Sequence, residues 1–337
     1  MYSERKQLYA ELEAARDSRV ICYVTGDRPG LETKIHAEVY DFFVNHLDSI
    51  GVVPRISLYL YTRGGDTLAA WTLLNLMRQF CDELEVLVPS KAHSAGTLMC
   101  LGSSRIVMTK QATLGPIDPS ITTPLNPAIP GAPPTAHFPV SVEAINGYIA
   151  LAREQLSIED SRDLSAILMK LSEYVHPLVL GQVFRSKSQI QMLARRLITE
   201  QVSDEEQVER IISFLCSESG SHDYTIHRRE ARDDLNLNVE KPDDALYTIM
   251  KRTYDDIANE LELTMKFDPN TVLGADNQKK YLLKRCIIES VEGGSHYFCS
   301  EGMLTRKQVQ QKGPAGPVTV MQINDARSFE GWRYAPA

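Results

Sequence analysis

The sequence lacks the features that mark several common classes of protein. No apolar run among its 337 residues approaches the roughly 18 residues that cross a bilayer, and the charged N-terminus does not resemble a signal peptide. There is no dense block of lysine and arginine with interleaved aromatics, and the net charge is -8, so nucleic-acid binding is not indicated. We therefore expect a cytoplasmic protein without a membrane span.

Cysteine pairs and nucleotide-binding motifs are also missing. The six cysteines form no CxxC pair, so neither a zinc site nor a disulfide framework is indicated, and we expect no metal. The chain contains no GxxxxGK[ST] and no GxGxxG, so a nucleotide site is not indicated. We expect that the protein works without a cofactor.

Apolar segments alternate with amphipathic ones over the first third of the chain. The amphipathic segments show helical spacing, and this alternation is typical of right-handed βαβ units. The pattern therefore predicts an α/β fold with a parallel sheet. The predicted strands, which are apolar and rich in β-branched residues, are 19–26, 55–62, 84–89 and 105–109.

The rest of the chain changes character at a proline-rich segment. Eight of the seventeen prolines fall between Pro116 and Pro139, so residues 119–139 are predicted to form a loop, which we expect to border the substrate groove. Residues 141–215 mix apolar and charged positions and predict a helical insertion. Residues 241–337 predict a C-terminal helix, a hairpin and a polar tail.

The segment "KAHSAGTLMCLG" places a serine directly after the third predicted strand. Gly64 and Gly65 follow the second strand in the same way, so the glycines and Ser94 are predicted to share the carboxyl edge of the sheet. Acyl transfer needs a nucleophile together with backbone N–H donors aimed at the developing oxyanion. Ser94 is therefore a candidate nucleophile, with Gly64, Gly65 and Ala95 as candidate oxyanion donors.

Simpler interpretations of these residues remain open. Ser94 could only cap the helix that follows it, and Gly96 could only allow close packing. We also expect that a valine at Gly65 would abolish turnover while leaving the fold nearly intact.

Three segments together resemble the serine dehydrogenase proteinase family. They are "YLYTRGGDTLAAWTLLNLMR", "AHSAGTLMCLGSSRIVMTKQATLGPIDPSI" and "SHDYTIHRREA", and the resemblance covers residues 19–120 strongly and 170–240 moderately. This family is related to the signal peptide peptidases and to the Clp protease proteolytic subunit. The resemblance implies a ClpP/crotonase-like fold of ββα and βαβ units over residues 1–240, extended by residues 241–337. It further implies a homo-oligomeric serine peptidase that cleaves a peptide or protein substrate through an acyl-enzyme.

The resemblance leaves the general base open. Relatives of the signal-peptide-peptidase type use a lysine some forty residues after the serine, but this chain has no lysine between Lys110 and Lys170. Lys91 and Lys110 remain alternatives as the base. His93 lies beside the candidate nucleophile and is expected to point away from the cleft.

Similarity to the Clp subunit implies a rearranged triad. By that match Asp223 takes the place of the aspartate, whereas Ile117 or Asp118 takes the place of the histidine. The chain therefore departs from the usual order of the triad. The resemblance then favours Ser94 with His222 as the base, and with Asp118 or Asp223 orienting the imidazole ring. Asp118 is the better candidate, because His222 and Asp223 are adjacent and would point in opposite directions on an extended segment.

Two other functions compete with peptidase activity. A crotonase-type acyl-CoA enzyme would use paired N–H groups without a nucleophilic serine, and an impaired scaffold subunit would keep the fold but lack the base. The predicted homo-oligomer rests on the family resemblance and on apolar surface at Trp71, Phe80 and the helix at 141–153.

Overall fold

Strands and helices alternate through the first third of the chain. The computed structural model describes residues 1–118, 120–218, 221, 223–313 and 316–336. Within these residues the α-helices are α1 (Tyr2–Arg16), α2 (Tyr40–Ile50), α3 (Thr67–Met77), α4 (Ala95–Leu101), α5 (Val142–Ala150), α6 (Ser161–Tyr174), α7 (Pro177–Ile198), α8 (Glu205–Ser213), α9 (Arg228–Asp233), α10 (Asp244–Glu260) and α11 (Pro269–Leu273). The strands are β1 (Arg19–Thr25), β2 (Val53–Tyr61), β3 (Cys81–Val88), β4 (Lys91–Ala92), β5 (Arg105–Met108), β6 (Thr113–Leu114), β7 (Ser120–Ile121), β8 (Val140–Ser141), β9 (Ile226–His227), β10 (Val239–Glu240), β11 (Gln278–Ser290), β12 (Gly294–Gly313) and β13 (Gly316–Ala335). A 3₁₀ turn at Ala37–Val39 precedes α2, and π-helical turns at Leu151–Gln155 and Phe214–Glu218 follow α5 and α8.

The longer strands form a mixed sheet in the order β10-β5-β3-β2-β1-β11-β12-β13. The five strands from β10 to β1 are parallel, whereas β11, β12 and β13 extend the sheet with antiparallel pairing. The four strands predicted from the sequence are β1, β2, β3 and β5. The predicted α/β fold with a parallel sheet is therefore confirmed for this half of the sheet.

Both faces of the central strand β1 are covered. Ile21 and Tyr23 belong to the core cluster shared with α2, α3 and α4, whereas Val20, Cys22 and Val24 belong to the cluster shared with α1 and α10. A parallel strand that is buried on both faces needs apolar residues at successive positions, which explains why the sequence "RVICYVT" does not alternate. The helices on both faces hold the carboxyl ends of β2 and β3 in a fixed position.

The segment 141–215 is helical, as predicted, and contains α5 to α8. Before it, the proline-rich segment forms the short antiparallel pair of β7 and β8. Helices α7 and α8 contribute Ile190, Leu193, Val208 and Ile211 to the main core, so this part of the insertion packs onto the α4 side of the sheet.

The C-terminal segment contains the predicted helix, α10, and the predicted hairpin, formed by β11 and β12. The expectation of a polar tail after the hairpin is wrong, because β12 continues to Gly313 and pairs along its length with β13. Exposed polar side chains on both strands hide this pairing from hydropathy patterns. Since β11 pairs with β1, the segment after residue 240 extends the central sheet, and the division at residue 240 remains a prediction.

Candidate active site

The glycine turn after β2 and the serine after β4 lie against each other. A Cβ atom on Gly64 would lie 2.7 Å from the Cβ of Ser94 and 3.1 Å from its Oγ. Real Cβ atoms do not approach that closely, so glycine is required for the two segments to meet. The structure therefore brings together the two features that the sequence places at one edge of the sheet.

Ser94 has a backbone conformation that serine rarely adopts. Its φ is 53° and its ψ is -115°, between the end of β4 and the start of α4. Such a conformation typically costs about 1–3 kcal/mol and is held by the surrounding structure. Although Ser94 occupies the N-cap position of α4, its side chain makes no capping hydrogen bond. The interpretation of Ser94 as a simple helix cap is therefore wrong.

Close packing and one threonine hold α4 behind the serine. Thr97 Oγ1 lies 2.8 Å from the carbonyl oxygens of both Ala92 and Gly115, and it accepts from the N–H of Gly115 at 3.0 Å. A Cβ on Gly96 would lie 2.4 Å from Cγ2 of Thr62. The close-packing role of Gly96 is confirmed, and it allows the first turn of α4 to approach the end of β2.

The two glycines of the turn use their backbone groups differently. The Gly64 N–H donates to Thr62 Oγ1 at 2.9 Å, and the Gly64 carbonyl accepts from the Ile35 N–H at 2.9 Å. The second hydrogen bond of this β-bridge runs from the Asp66 N–H to the Ile35 carbonyl oxygen, so the Gly65 N–H takes no part in the bridge. Among the described residues, neither the Gly65 N–H nor the Ala95 N–H has an acceptor.

The backbone around Gly65 leaves no room for a side chain. Its φ is 149°, and a Cβ there would lie 2.3 Å from the carbonyl oxygen and 2.5 Å from the nitrogen of Ile35. These are backbone atoms, which cannot rotate away. The expectation that a valine at Gly65 leaves the fold nearly intact is therefore wrong.

Ser94 opens into a polar cavity of about 360 Å³. His93 also lines this cavity, so the expectation that it points away from the cleft is wrong. Its Nε2 lies 2.8 Å from Thr113 Oγ1. The described lining residues are Arg63, Lys91, His93, Ser94, Pro116 and Asp223, and they include none of the proline-rich loop at 119–139.

The two lysine alternatives have different surroundings. The Nζ of Lys91 donates to Asp27 Oδ2 at 2.7 Å and lies 5.4 Å from the centre of the Tyr61 ring. The ammonium of Lys91 is thus engaged by a carboxylate and by the face of an aromatic ring. Lys110 is exposed above the Tyr247 ring and does not line the cavity.

The candidate acid groups lie in different places. Asp223 lines the cavity, whereas Asp118 is buried and does not. Asp118 is close enough to Glu143 to affect it: burial raises the pKa of Glu143, Lys187 opposes that shift, and Asp118 reinforces it. His222 lies outside the described residues, so its pairing with either aspartate remains a prediction.

Sequence reasoning missed three parts of this site. Asp27 lies two residues after the end of β1, and Thr62 and Arg63 follow β2 directly, where the carboxyl ends of parallel strands meet. The carboxyl end of the predicted strand 55–62 was a sufficient signal for Thr62 and Arg63. The Asp27–Lys91 pair could not be found in this way, because it depends on the small strand β4.

The described residues contain neither a candidate metal-binding cluster nor a candidate membrane-spanning helix. There, no group of three or more histidine, cysteine or acidic side chains is placed to hold a metal ion. Within the same ranges, no helix has the length and apolar character that crossing a bilayer requires.

Two uncharacterized proteins of Methanocaldococcus jannaschii are similar in sequence. One is 26% identical over 209 residues, which are 61% of this chain and 62% of the relative. The other is 29% identical over 126 residues, which are 35% of this chain and 42% of the relative. The chain thus spans less than two thirds of the length of either relative.

Solved protease structures are more distant. A mutant of the 1510-N membrane-bound stomatin-specific protease in complex with a substrate peptide has 16% identity and a TM-score of 0.37, covering 63% of this chain and 72% of that one. A ClpP1 mutant from Listeria monocytogenes has 15% identity and a TM-score of 0.36, covering 69% and 98%. Residues 1–132, which carry the glycine turn and Ser94, match the model of the ClpP-like SDH-type serine proteinase family, and this confirms the family resemblance over that part of the chain.

Proposed function

We propose that this protein is a serine peptidase in which Ser94 attacks a peptide carbonyl and forms an acyl-enzyme. The observation that carries the proposal is the backbone conformation of Ser94. Its φ is positive, and its side chain lines a polar cavity and does not cap α4. Within the described residues the hydroxyl has no hydrogen-bond partner. Strain of this kind at a strand-to-helix turn is a known way to expose a nucleophile.

The oxyanion would be held by the N–H groups of Gly65 and Ala95. The N–H of Gly64 is engaged by Thr62, so Gly64 acts through its missing side chain instead, by letting the turn reach Ser94. The Ala95 N–H lies at the first residue of α4, where backbone donors are unused and the helix dipole favours negative charge.

His222 is proposed as the general base. It would take the proton of Ser94 during attack and return it to the leaving amine, after which a water molecule activated in the same way would release the acyl group. The place of Asp223 on the cavity supports it as the residue that orients the ring, whereas Asp118 lies away from the lining. The ion pair of Lys91 with Asp27 argues against Lys91 as the base.

A fluorophosphonate probe tests the nucleophile. We expect the wild-type protein to be labelled and Ser94→Ala not to be, while Ser90→Ala, in the turn between β3 and β4, is labelled normally. A crotonase-type enzyme or an impaired scaffold would react with the probe slowly or not at all. Equal labelling of wild type and Ser94→Ala, or none of either, would count against the proposal.

A pH–rate profile with one ester substrate tests the base. We expect activity to fall on the acid side of an apparent pKa near the ~6.5 of histidine, and His222→Ala to lose on the order of a thousand-fold in rate. Lys91→Ala should keep the shape of the profile. If His222→Ala stays active while His93→Ala does not, the assignment of the base to His222 is wrong, although Ser94 keeps its role.

A further inference from the structure

The cavity at Ser94 contains an arginine whose charge the described residues do not engage. Arg63 lines this cavity and is exposed. In the described part of the chain its guanidinium forms neither an ion pair nor a hydrogen bond. The lysine of the same lining, Lys91, is in contrast paired with Asp27, which is only 10% exposed. Arg63 therefore presents a positive charge to whatever enters the cavity.

The backbone on both sides of Arg63 is held in place. The Thr62 N–H donates to the Lys91 carbonyl oxygen at 3.0 Å, and the Thr62 carbonyl oxygen accepts from the His93 N–H at 3.1 Å. On the other side, the Gly64 carbonyl oxygen accepts a backbone hydrogen bond at 2.9 Å. A side chain that starts from a rigid backbone can bind a ligand group without ordering the main chain first.

Arg63 directly precedes the turn that contacts the candidate nucleophile. The next residue, Gly64, meets Ser94, and the N–H of Gly65 is the proposed oxyanion donor. Successive residues of an extended peptide are about 3.3 Å apart. A peptide whose carbonyl oxygen lies at the Gly65 N–H therefore passes Arg63 within one or two residues of the reacting bond.

The nearby acidic side chains leave this guanidinium accessible. The pKa of Glu32 is lowered chiefly by hydrogen bonds from backbone N–H groups at Glu32 and Gly30, while burial opposes the shift and Arg63 contributes less. Glu32 thus feels the charge of Arg63 but does not form an ion pair with it. Asp223, on the cavity lining, is not paired with Arg63 either.

An arginine at the other end of β2 shows the contrast with a structural role. Arg55 donates to Glu83 at 2.6 and 2.8 Å and to the Arg16 carbonyl oxygen at 2.9 Å. Its guanidinium is occupied by groups of its own chain. Arg63 has no such contacts within the described ranges, so its side chain is available to a ligand.

We propose that Arg63 binds a carboxylate of the peptide substrate within two residues of the bond that is cut. This inference rests on the proposed peptidase function and adds a substrate class, peptides with a carboxylate beside the scissile bond. A guanidinium presents parallel N–H donors that match the two oxygens of a carboxylate. The carboxylate can belong to an aspartate or glutamate side chain or to the C-terminal end of the peptide, since the chemistry is the same.

Matched fluorogenic peptides test the carboxylate site. Each peptide is made in three forms that hold Glu, Gln or Lys at one position, and this position is scanned along the peptide. We expect wild type to cleave the Glu form with a kcat/KM about 10-fold above that of the Gln form when the position lies within two residues of the cut. Because Arg63 is exposed, the ratio should fall in high salt.

Substitutions of Arg63 should change this preference in a defined direction. Arg63→Gln should bring the ratio close to one, Arg63→Lys should retain part of it, and Arg63→Glu should favour the Lys form. Arg55→Gln removes the same charge roughly 26 Å away along β2 and should keep the wild-type ratio. Equal thermal unfolding of the Arg63 variants and wild type would confirm that they fold.

A parallel series with amidated C-termini assigns the source of the carboxylate. A loss of rate on amidation that disappears in Arg63→Gln would assign the site to the end of the chain. A Glu preference that amidation does not change would assign it to a side chain. Equal rates in wild type for Glu and Gln forms and for free and amidated ends, or a preference that survives Arg63→Gln, would overturn the proposal.

Binding to Ser94→Ala separates this inference from the proposed function, because fluorescence anisotropy of the same peptides needs no turnover. We expect the Glu form to bind Ser94→Ala about 10-fold more tightly than the Gln form, and the added substitution Arg63→Gln to remove the difference. Such binding by a protein whose wild type cleaves no peptide would support the carboxylate site and reject the peptidase. Cleavage without a carboxylate preference in either assay would reject the carboxylate site and keep the peptidase.

Discussion

At the scale of single residues, the site depends on glycines, which have no side chain, as much as on the polar side chains around them. Gly64 leaves room for Ser94, and Gly96 leaves room for Thr62. Ser94 in turn adopts a strained conformation that only tight packing around it can hold. A single methyl group in the wrong place should therefore disturb the nucleophile.

Gly64→Ala should displace Ser94. The new methyl group would lie 2.7 Å from the Ser94 Cβ, and a misplacement of about 1 Å can cost on the order of 100-fold in rate. The measurement is the second-order rate of fluorophosphonate labelling. Gly51→Ala is the matched control, because Gly51 also has a positive φ but no atom within 4 Å of the new position. Equal labelling rates in the two variants would contradict a role for this contact.

Sequence reasoning located these residues because it needed only the order of parallel strands. It could not show that the Gly64 N–H donates to Thr62, since that depends on the rotamer of one threonine. It also misplaced His93, because β4 is a strand of two residues that turns the chain just before Ser94. Local backbone direction at such short elements is set by tertiary pairing.

At the scale of secondary-structure elements, a pair of histidines joins α2 to the C-terminal strands. His46 Nδ1 lies 2.7 Å from Ser290 Oγ on β11, and its Nε2 lies 3.0 Å from Nδ1 of His296 on β12. Burial, with a smaller contribution from His296, lowers the pKa of His46 to about 3. Burial also lowers the pKa of His296. Both rings are therefore neutral in the folded protein near neutral pH.

This pair should make the protein less stable in acid. In the unfolded chain each histidine binds a proton near its ordinary pKa of ~6.5. In the folded chain His46 binds a proton only when the pH falls to about 3. The contribution of His46 is thus fully present above pH 6.5 and falls as the pH decreases, by about 2 kcal/mol at pH 5. His46→Gln should unfold in denaturant with a smaller difference between pH 7 and pH 5. An unchanged difference would contradict this account.

Elements were predicted best where burial gives a clear pattern. Strands β1, β2, β3 and β5 are apolar because both faces of the sheet are covered. Strands β12 and β13 lack that cover over much of their length, so their polar residues resemble a tail. The period of hydrophobic residues reports burial, and it says little about backbone pairing at an exposed edge.

At the scale of the whole molecule, one buried arginine connects distant parts of the chain. Arg5 of α1 is fully buried, and its guanidinium forms a bidentate pair with Glu289 of β11 at 2.7 and 2.8 Å. It also binds Glu260, at 2.7 Å, and Asp256 on α10. Three carboxylates of the C-terminal segment thus share one N-terminal guanidinium, and Glu260 pairs in addition with Lys284.

Arg5→Ala should destabilise the protein strongly. Removal of Arg5 leaves the buried carboxylate of Glu289 without a cation, and loss of one partner of a buried pair typically costs about 3–5 kcal/mol. Arg252→Ala breaks the exposed pair with Glu11 between the same two helices, α1 and α10, and should cost at most about 1 kcal/mol. Urea unfolding of the two variants measures the difference. Similar midpoints would show that the buried cluster does not contribute more than the exposed pair.

The pairing of β1 with β11 has a consequence for synthesis on the ribosome. β1 leaves the exit tunnel early, but its neighbour on one side is made only after most of the chain, including the entire segment around Ser94. At about 5–20 residues per second, the nascent chain spends on the order of ten to fifty seconds with that edge of β1 unpaired. Open strand edges invite pairing with other chains. We therefore expect the growing polypeptide to be prone to aggregation through this interval, and a chain that ends before β11 to aggregate.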